Sequence, residues 1–297
     1  MKKLFALLLA VLMIAGLVAC GTTETPAADV DAPAADVDAP AADTPAAEAP
    51  AEDAESDLAY VTDNGKMLVG ITIYEPMNYY DDAGELTGFD TEFAQAVCEK
   101  LGLEAEFIEI NWDTKEVELA AKSIDCIWNG MTITEERMAN MSISAPYVKN
   151  AQVIVVKADS DVASTADLVG KTVVAEMGSA GEAQVIGEDA EANLAQAEYV
   201  GVAKQTDCLM EIKAGTATAA VLDWTLAKSM VGEGTDFSDL KILEGVELAT
   251  EEYGIAFRKG SDLTAAVNAA IEELVADGTL PALAEKYGLS LAPAIAG

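Results

Sequence analysis

Histidine is missing from all 297 residues, and with it go the Ser-His-Asp triad, the papain-like Cys-His pair and every His-ligated zinc site. Positive charge is scarce too. Seventeen Lys and Arg stand against 52 Asp and Glu, a formal charge of −35, and only Arg137 and Arg258 are arginines. The composition argues against nucleic acid as a partner, because phosphate affinity comes mainly from clustered Lys and Arg, and this chain has no basic cluster.

What is present begins with an export signal. Lys2 and Lys3 precede an apolar run from Leu4 through Ile14, and Leu17-Val18-Ala19-Cys20 closes the segment. A charged start, a stretch too short for a comfortable span and an LxxC ending indicate a lipoprotein signal peptide over 1–19, rather than a transmembrane anchor. Cys20 is then the lipidation site, and a diacylglycerol there would tether the mature chain stably to a membrane surface. Residues 21–57 hold five of the nine prolines, eleven acids and no Lys or Arg. Such a tract cannot bury enough apolar surface to offset its ordering entropy, so 20–57 reads as a disordered acidic linker. From Leu58 onward 41 acidic and 15 basic residues remain. The acidity is general, a solubility feature rather than a site.

Beyond residue 60, short β-branched runs alternate with amphipathic helices. Strand Met67 to Ile73, helix Asp90 to Leu101, strand Glu104 to Ile110, helix Asp113 to Lys122 and strand Ile124 to Trp128 make a βαβαβ unit with a parallel sheet. A second unit follows, with strands Gln152 to Lys157, Lys171 to Ala175, Glu198 to Val200 and Thr218 to Leu222. Its helices lie near Thr165 to Val169, from Ser179, and over Asp207 to Ala214. Strand Tyr253 to Arg258 and helices Asp262 to Ala276 and Leu280 to Tyr287 complete the chain. The expected fold is α/β and two-lobed, each lobe a mainly parallel sheet flanked by helices, with two crossover strands as the hinge. Lobe 1 takes 58–151, lobe 2 takes 152–251, and 252–297 returns to lobe 1. A ligand cleft lies between them, at the carboxyl ends of the strands.

Ordered phrases sharpen this reading: Tyr74-Glu-Pro-Met77, Gly84-Glu-Leu-Thr-Gly-Phe-Asp90, Ile124 to Arg137, Gly170-Lys-Thr-Val-Val174, Gly178-Ser179, Ala219-Ala-Val-Leu-Asp223 and Glu252-Tyr-Gly-Ile-Ala256. By their order and spacing, over roughly 60–290, the chain resembles the extracellular solute-binding proteins of ABC importers that take polar amino acids, with the type II periplasmic-binding-protein fold. The resemblance implies a monomer without catalytic residues, metal or cofactor. It would capture an L-amino acid by hinge closure and deliver it to a membrane permease.

An amino-acid zwitterion needs a carboxylate clamp and an ammonium clamp, and a guanidinium supplies the first with two parallel bonds. The resemblance places Arg137, with Gly130 and Thr132, on the α-carboxylate; the plain alternative pairs Arg137 with Glu135 or Glu136. Asp223 matches the ammonium acceptor, although an N-cap for a helix beginning at Trp224 would also suit it. Tyr74 and Trp112 match positions flanking the ligand side chain, or are core. Ser179 and Ala180, after Gly178, open a helix whose amides favour a carboxylate. Asn129 and Glu75 are candidate selectors, while Trp128 and Trp224 read as packing. Thr72 falls near a position where relatives that bind basic amino acids carry Asp, which points to a polar or neutral ligand.

After Cys20 the cysteines number three, Cys98, Cys126 and Cys208, odd for an exported chain. A bridge seen in some relatives from the position of Cys98 would end at Ala105 and cannot form. Cys98 and Cys126 read as inert buried thiols. Two rival functions stay open. One is an exported dehydratase resembling the cyclohexadienyl dehydratases, with a general acid such as Glu176. The other is a sensory module using the same cleft without transport.

Overall fold

A computed structural model describes residues 56–296, so the expected signal peptide, Cys20 and most of the expected linker lie outside the described residues. The ordered fold starts earlier than residue 58. Ser56 caps α1 (Asp57–Asn64) by accepting the Ala59 amide at 2.9 Å. Asp57 is buried against Arg258, whose Nε lies 3.0 Å from its carboxylate.

In the first lobe, β1 (Lys66–Ile71) alternates: Met67, Val69 and Ile71 all enter the main apolar core. A small hairpin, β2 (Tyr79–Tyr80) and β3 (Leu86–Thr87), leads into α2 (Phe89–Leu101). α2 buries Phe89, Phe93, Ala94, Val97 and Cys98 along one face and ends at Gly102 in the left-handed conformation. The Phe93 ring meets Trp128 edge-on, centroids 5.0 Å apart, and Tyr147 at 5.5 Å. β4 (Glu104–Glu109) and β5 (Cys126–Thr132) flank β1 in parallel, joined through a 3₁₀ turn at Trp112–Thr114 and α3 (Lys115–Ala120). α4 (Glu135–Asn140) and β6 (Met141–Ile143) follow.

β7 (Val148–Lys157) carries the chain into the second lobe. There the sequence alternates β8 (Thr172–Glu176), α5 (Ala180–Ile186), β9 (Glu198–Val202), α6 (Gln205–Ala214), β10 (Ala219–Asp223) and α7 (Trp224–Met230). β10 shows why its strand reads as an unbroken apolar run: Ala219 and Val221 enter one core while Ala220 and Leu222 enter another, so both faces are covered. The return strand β11 (Leu240–Arg258) is longer than the sequence pattern indicates, reaching back 13 residues before Tyr253. Its first part pairs antiparallel with β7 and its last part with β5 and β6. α8 (Leu263–Ala276) and α9 (Thr279–Tyr287) then pack against α2 of the first lobe. One mixed sheet results, ordered β4-β1-β5-β11-β7-β10-β8-β9, with β7 and β11 as the two strands shared by both lobes.

Candidate ligand-binding cleft

β5 is buried throughout and delivers the chain to Thr134, whose hydroxyl accepts the Arg137 amide at 3.1 Å and caps α4. That cap holds Arg137 in the first turn with its side chain folded inward. Nη1 donates to the Thr132 carbonyl at 2.8 Å, and Nη2 reaches the second lobe to donate to the Gly178 carbonyl at 3.1 Å. The pairing with Glu135 or Glu136 is not what the structure shows: Arg137 is 8% exposed and makes no ion pair among the described residues. Burial lowers its pKa, but a guanidinium stays charged. A buried charge held only by neutral carbonyls is unfavourable until an anion arrives. A cavity of about 630 Å³ opens beside it, lined by Thr132, Arg137, Gly178, Ser179, Ala180 and Glu251, among others.

From the second lobe, Ser179 spends its hydroxyl capping α5, accepting the Glu182 amide at 3.0 Å. The Gly178 amide donates to the Glu182 carboxylate at 2.8 Å, so within this phrase that N–H is already engaged. Gly178 has φ of 71°, and a Cβ there would stand 3.0 Å from the Asp113 Cα of the first lobe. Only glycine permits this closeness between the lobes. Glu75 accepts the Ser229 hydroxyl at 2.9 Å across the same divide, a contact between lobes rather than a selector facing the cavity. The cleft is closed.

Asp223, at the end of β10, is 5% exposed. Its carboxylate does not cap α7; the Thr225 amide donates instead to Asn150 Oδ1 at 3.1 Å. The two oxygens of Asp223 accept the side-chain amides of Asn150 and Gln152, each at 2.6 Å, and of Gln205. The same Asn150 and Gln152 nitrogens donate to Glu251 Oε1 at 2.5 and 2.9 Å. Two carboxyl groups therefore share two donors, and Glu251 also faces the cavity. Burial and the neighbouring Asp223 raise the Glu251 pKa. Glu176, at the end of β8, is a third acid. It is 3% exposed, its carboxyl makes no hydrogen bond or ion pair among the described residues, and that carboxyl is pushed up to about 8 by burial and then by Asp223. The sequence reading missed Glu251, because its neighbourhood with Asp223 depends on β11 lying along β7.

Other expected ligand residues turn out to be supports. Asn129 directs its side chain to the loop after β1: Nδ2 donates to the Thr72 hydroxyl at 2.7 Å, and Oδ1 accepts the Thr72 amide at 3.0 Å and Asn78 at 2.7 Å. It is not a selector here. The Gly130 amide is likewise used, donating to Asp90 at 2.7 Å, and does not await a carboxylate. Gly130 is required for shape: φ is 56°, and a Cβ would lie 2.6 Å from the Tyr74 ring. Tyr74 is buried, its hydroxyl bonded to Thr225 and, at 2.6 Å, to Tyr253. Trp112 packs in the core beside Leu119, Ile124 and Ile127, with the Lys115 ammonium 4.8 Å from its ring centroid. Trp128 and Trp224 are packing, as expected. Cys98, Cys126 and Cys208 are buried and unbridged, and burial raises each thiol's pKa, to about 12 at Cys98.

The pattern of the chain matches the family model of the bacterial extracellular solute-binding proteins, family 3, over residues 67–290. The chain belongs to this family. It is 34% identical to the L-cystine-binding protein TcyJ of Escherichia coli K12, over 78% of this chain and 86% of that protein. The arginine-bound form of truncated ArgBP from T. maritima superposes with a TM-score of 0.66 at 37% identity, covering 73% of this chain and 99% of that one. An ancestral amino-acid-binding protein described as a precursor of cyclohexadienyl dehydratase gives 0.69 at 30% identity, over 78% and 99%.

Proposed function

We propose that this protein is the substrate-binding component of an amino-acid ABC importer, tethered outside the cytoplasm through Cys20, which closes its lobes on an L-α-amino acid. The observation that carries the proposal is the pairing of poles at one cavity: a buried Arg137 guanidinium with carbonyl partners but no ion pair among the described residues, and across from it Glu251, which lines the cavity and shares the Asn150 and Gln152 donors with the buried Asp223 behind it. A zwitterion answers both poles at once, with carboxylate to Arg137 and ammonium to the carboxyl pair. Arg137 belongs to the first lobe and Asp223 to the second, so one ligand that touches both stabilises closure, and only differential contacts of this kind can shift a hinge. Relatives take arginine and cystine. The Thr72 hydroxyl and amide are both bonded to Asn129, so Thr72 supports the loop, and the polar or neutral ligand class stays part of the proposal.

The dehydratase reading has one feature in its favour, a Glu176 carboxyl that stays protonated at neutral pH as a general acid must. Against it, the Asp223–Glu251 dyad repels a ligand such as prephenate, which has carboxylates and no ammonium. Calorimetry on Asp223→Asn tests the ammonium assignment. Affinity for the bound amino acid should fall at least tenfold while that for the matching α-keto acid changes little; equal loss for both would assign Asp223 to structure alone.

A further inference from the structure

Lys115, at the start of α3, is used by none of the roles above. It is 4% exposed, yet makes no ion pair among the described residues. Its ammonium donates to the Trp112 carbonyl at 3.0 Å and, across the cleft, to the Gly178 carbonyl at 2.9 Å. Arg137 Nη2 donates to the same Gly178 oxygen at 3.1 Å. Two buried cations from separate elements of the first lobe thus converge on one neutral oxygen of the second, and both line the same cavity. Mutual repulsion and desolvation oppose this arrangement, and a single carbonyl dipole offsets little of either.

We propose that Lys115 is a second carboxylate-binding residue of the cleft, acting with Arg137 on the same ligand carboxylate, and that the Gly178 carbonyl stands in for that carboxylate when the cleft closes empty. This rests on the amino-acid reading of the site. The two nitrogens lie within about 6 Å of each other, since each is within hydrogen-bond distance of one oxygen. One carboxylate bridges such a gap, an oxygen to each cation. The Lys115 ammonium is lowered to about 8, by burial first and by Arg137 next, with Glu116, Glu176 and Asp113 opposing. An arriving carboxylate would reverse that shift. The Trp112 ring beneath the ammonium and the Trp112 carbonyl fix its position, which gives a core tryptophan a part in orienting the site.

Calorimetry on the refolded protein with L-arginine, L-cystine and L-glutamine as probes, at pH 7, finds the amino acid that binds; binding of none would defeat the amino-acid reading itself. With the binder in hand, Lys115→Met and Lys115→Arg are compared with wild type, each shown to be folded by its thermal transition. The expected result is at least a tenfold loss for Lys115→Met and a loss of no more than a few-fold for Lys115→Arg. Raising the pH from 7 to 9 should weaken wild type more than Lys115→Arg, whose guanidinium does not titrate there. If Lys115 only latched the empty closed form, removing it would leave affinity unchanged or tighten it, the opposite sign. Either of those results, or equal losses in the two variants, overturns the proposal.

Discussion

At the scale of single residues the cleft is dominated by buried groups whose charge is disfavoured. Asp90 accepts the Gly130 amide and the Tyr147 hydroxyl at 3.0 Å, and burial pushes its carboxyl up to about 7; Glu176 is pushed to about 8. A carboxyl with a raised folded-state pKa holds its proton more tightly in the fold than in the unfolded chain. Its contribution to stability is full below about pH 4 and is lost as pH rises through 7 to 8. Thermal midpoints should therefore fall between pH 5 and pH 8.5, by the equivalent of a few kcal/mol in order of magnitude. Glu176→Gln should flatten part of that slope, which differential scanning calorimetry across the pH series would show. An unchanged slope would mean that Glu176 is ionised in the folded protein. Arg137 and Asp223 were legible from their phrases, because each is announced by its neighbours in the sequence. Glu251, Lys115 and the true duties of Asn129 and Gly130 were not. Their roles come from partners 40 to 101 positions away in the chain, which no local pattern encodes.

At the scale of elements, the hinge strands and the first helix carry the informative contacts. Asn150 on β7 caps α7 through Thr225 and donates to both Asp223 and Glu251. Asn150→Ala should cost roughly 1–3 kcal/mol in denaturant unfolding, from a lost cap and two carboxyls left short of donors. A change within 0.5 kcal/mol, the range of ordinary surface substitutions, would show those bonds to be unimportant. α1 matters for a related reason. Arg258 is held by Asp57 at 3.0 Å and Asp125 at 3.2 Å, all three mostly buried. Asp57→Ala should destabilise by roughly 1.5–3 kcal/mol, because it removes charge-assisted hydrogen bonds to the Arg258 guanidinium while Asp125 still balances its charge. A chain starting at Leu58 should show a larger loss relative to one starting at Glu52, because it also lacks the Ser56 cap. Most strands and helices could be read within a few residues from period and composition. The exceptions have physical causes. α1 hides behind the acidic tract it ends, and the first half of β11 alternates too weakly to announce a strand, being fixed by five register pairs with β7 between Leu240 and Ala249.

For the whole molecule, the proposed function reduces to one equilibrium between open and closed lobes, biased by a ligand that satisfies both poles. The closed form already joins the lobes through Tyr74–Thr225, Ser229–Glu75 and the contacts to Gly178. Saturating ligand should therefore add stability by mass action with little new protein–protein contact. At one hundred times its dissociation constant a ligand contributes about 2.7 kcal/mol, which for a body of this size moves the midpoint by roughly 5–10 °C. The most direct measurement is that thermal shift, on refolded residues 52–297, with L-amino acids against wild type and Arg137→Ala. A shift of that size with at least one amino acid, absent in a folded Arg137→Ala variant, is the expected result. No shift with any amino acid, or a shift that survives loss of the guanidinium, would contradict the zwitterion clamp.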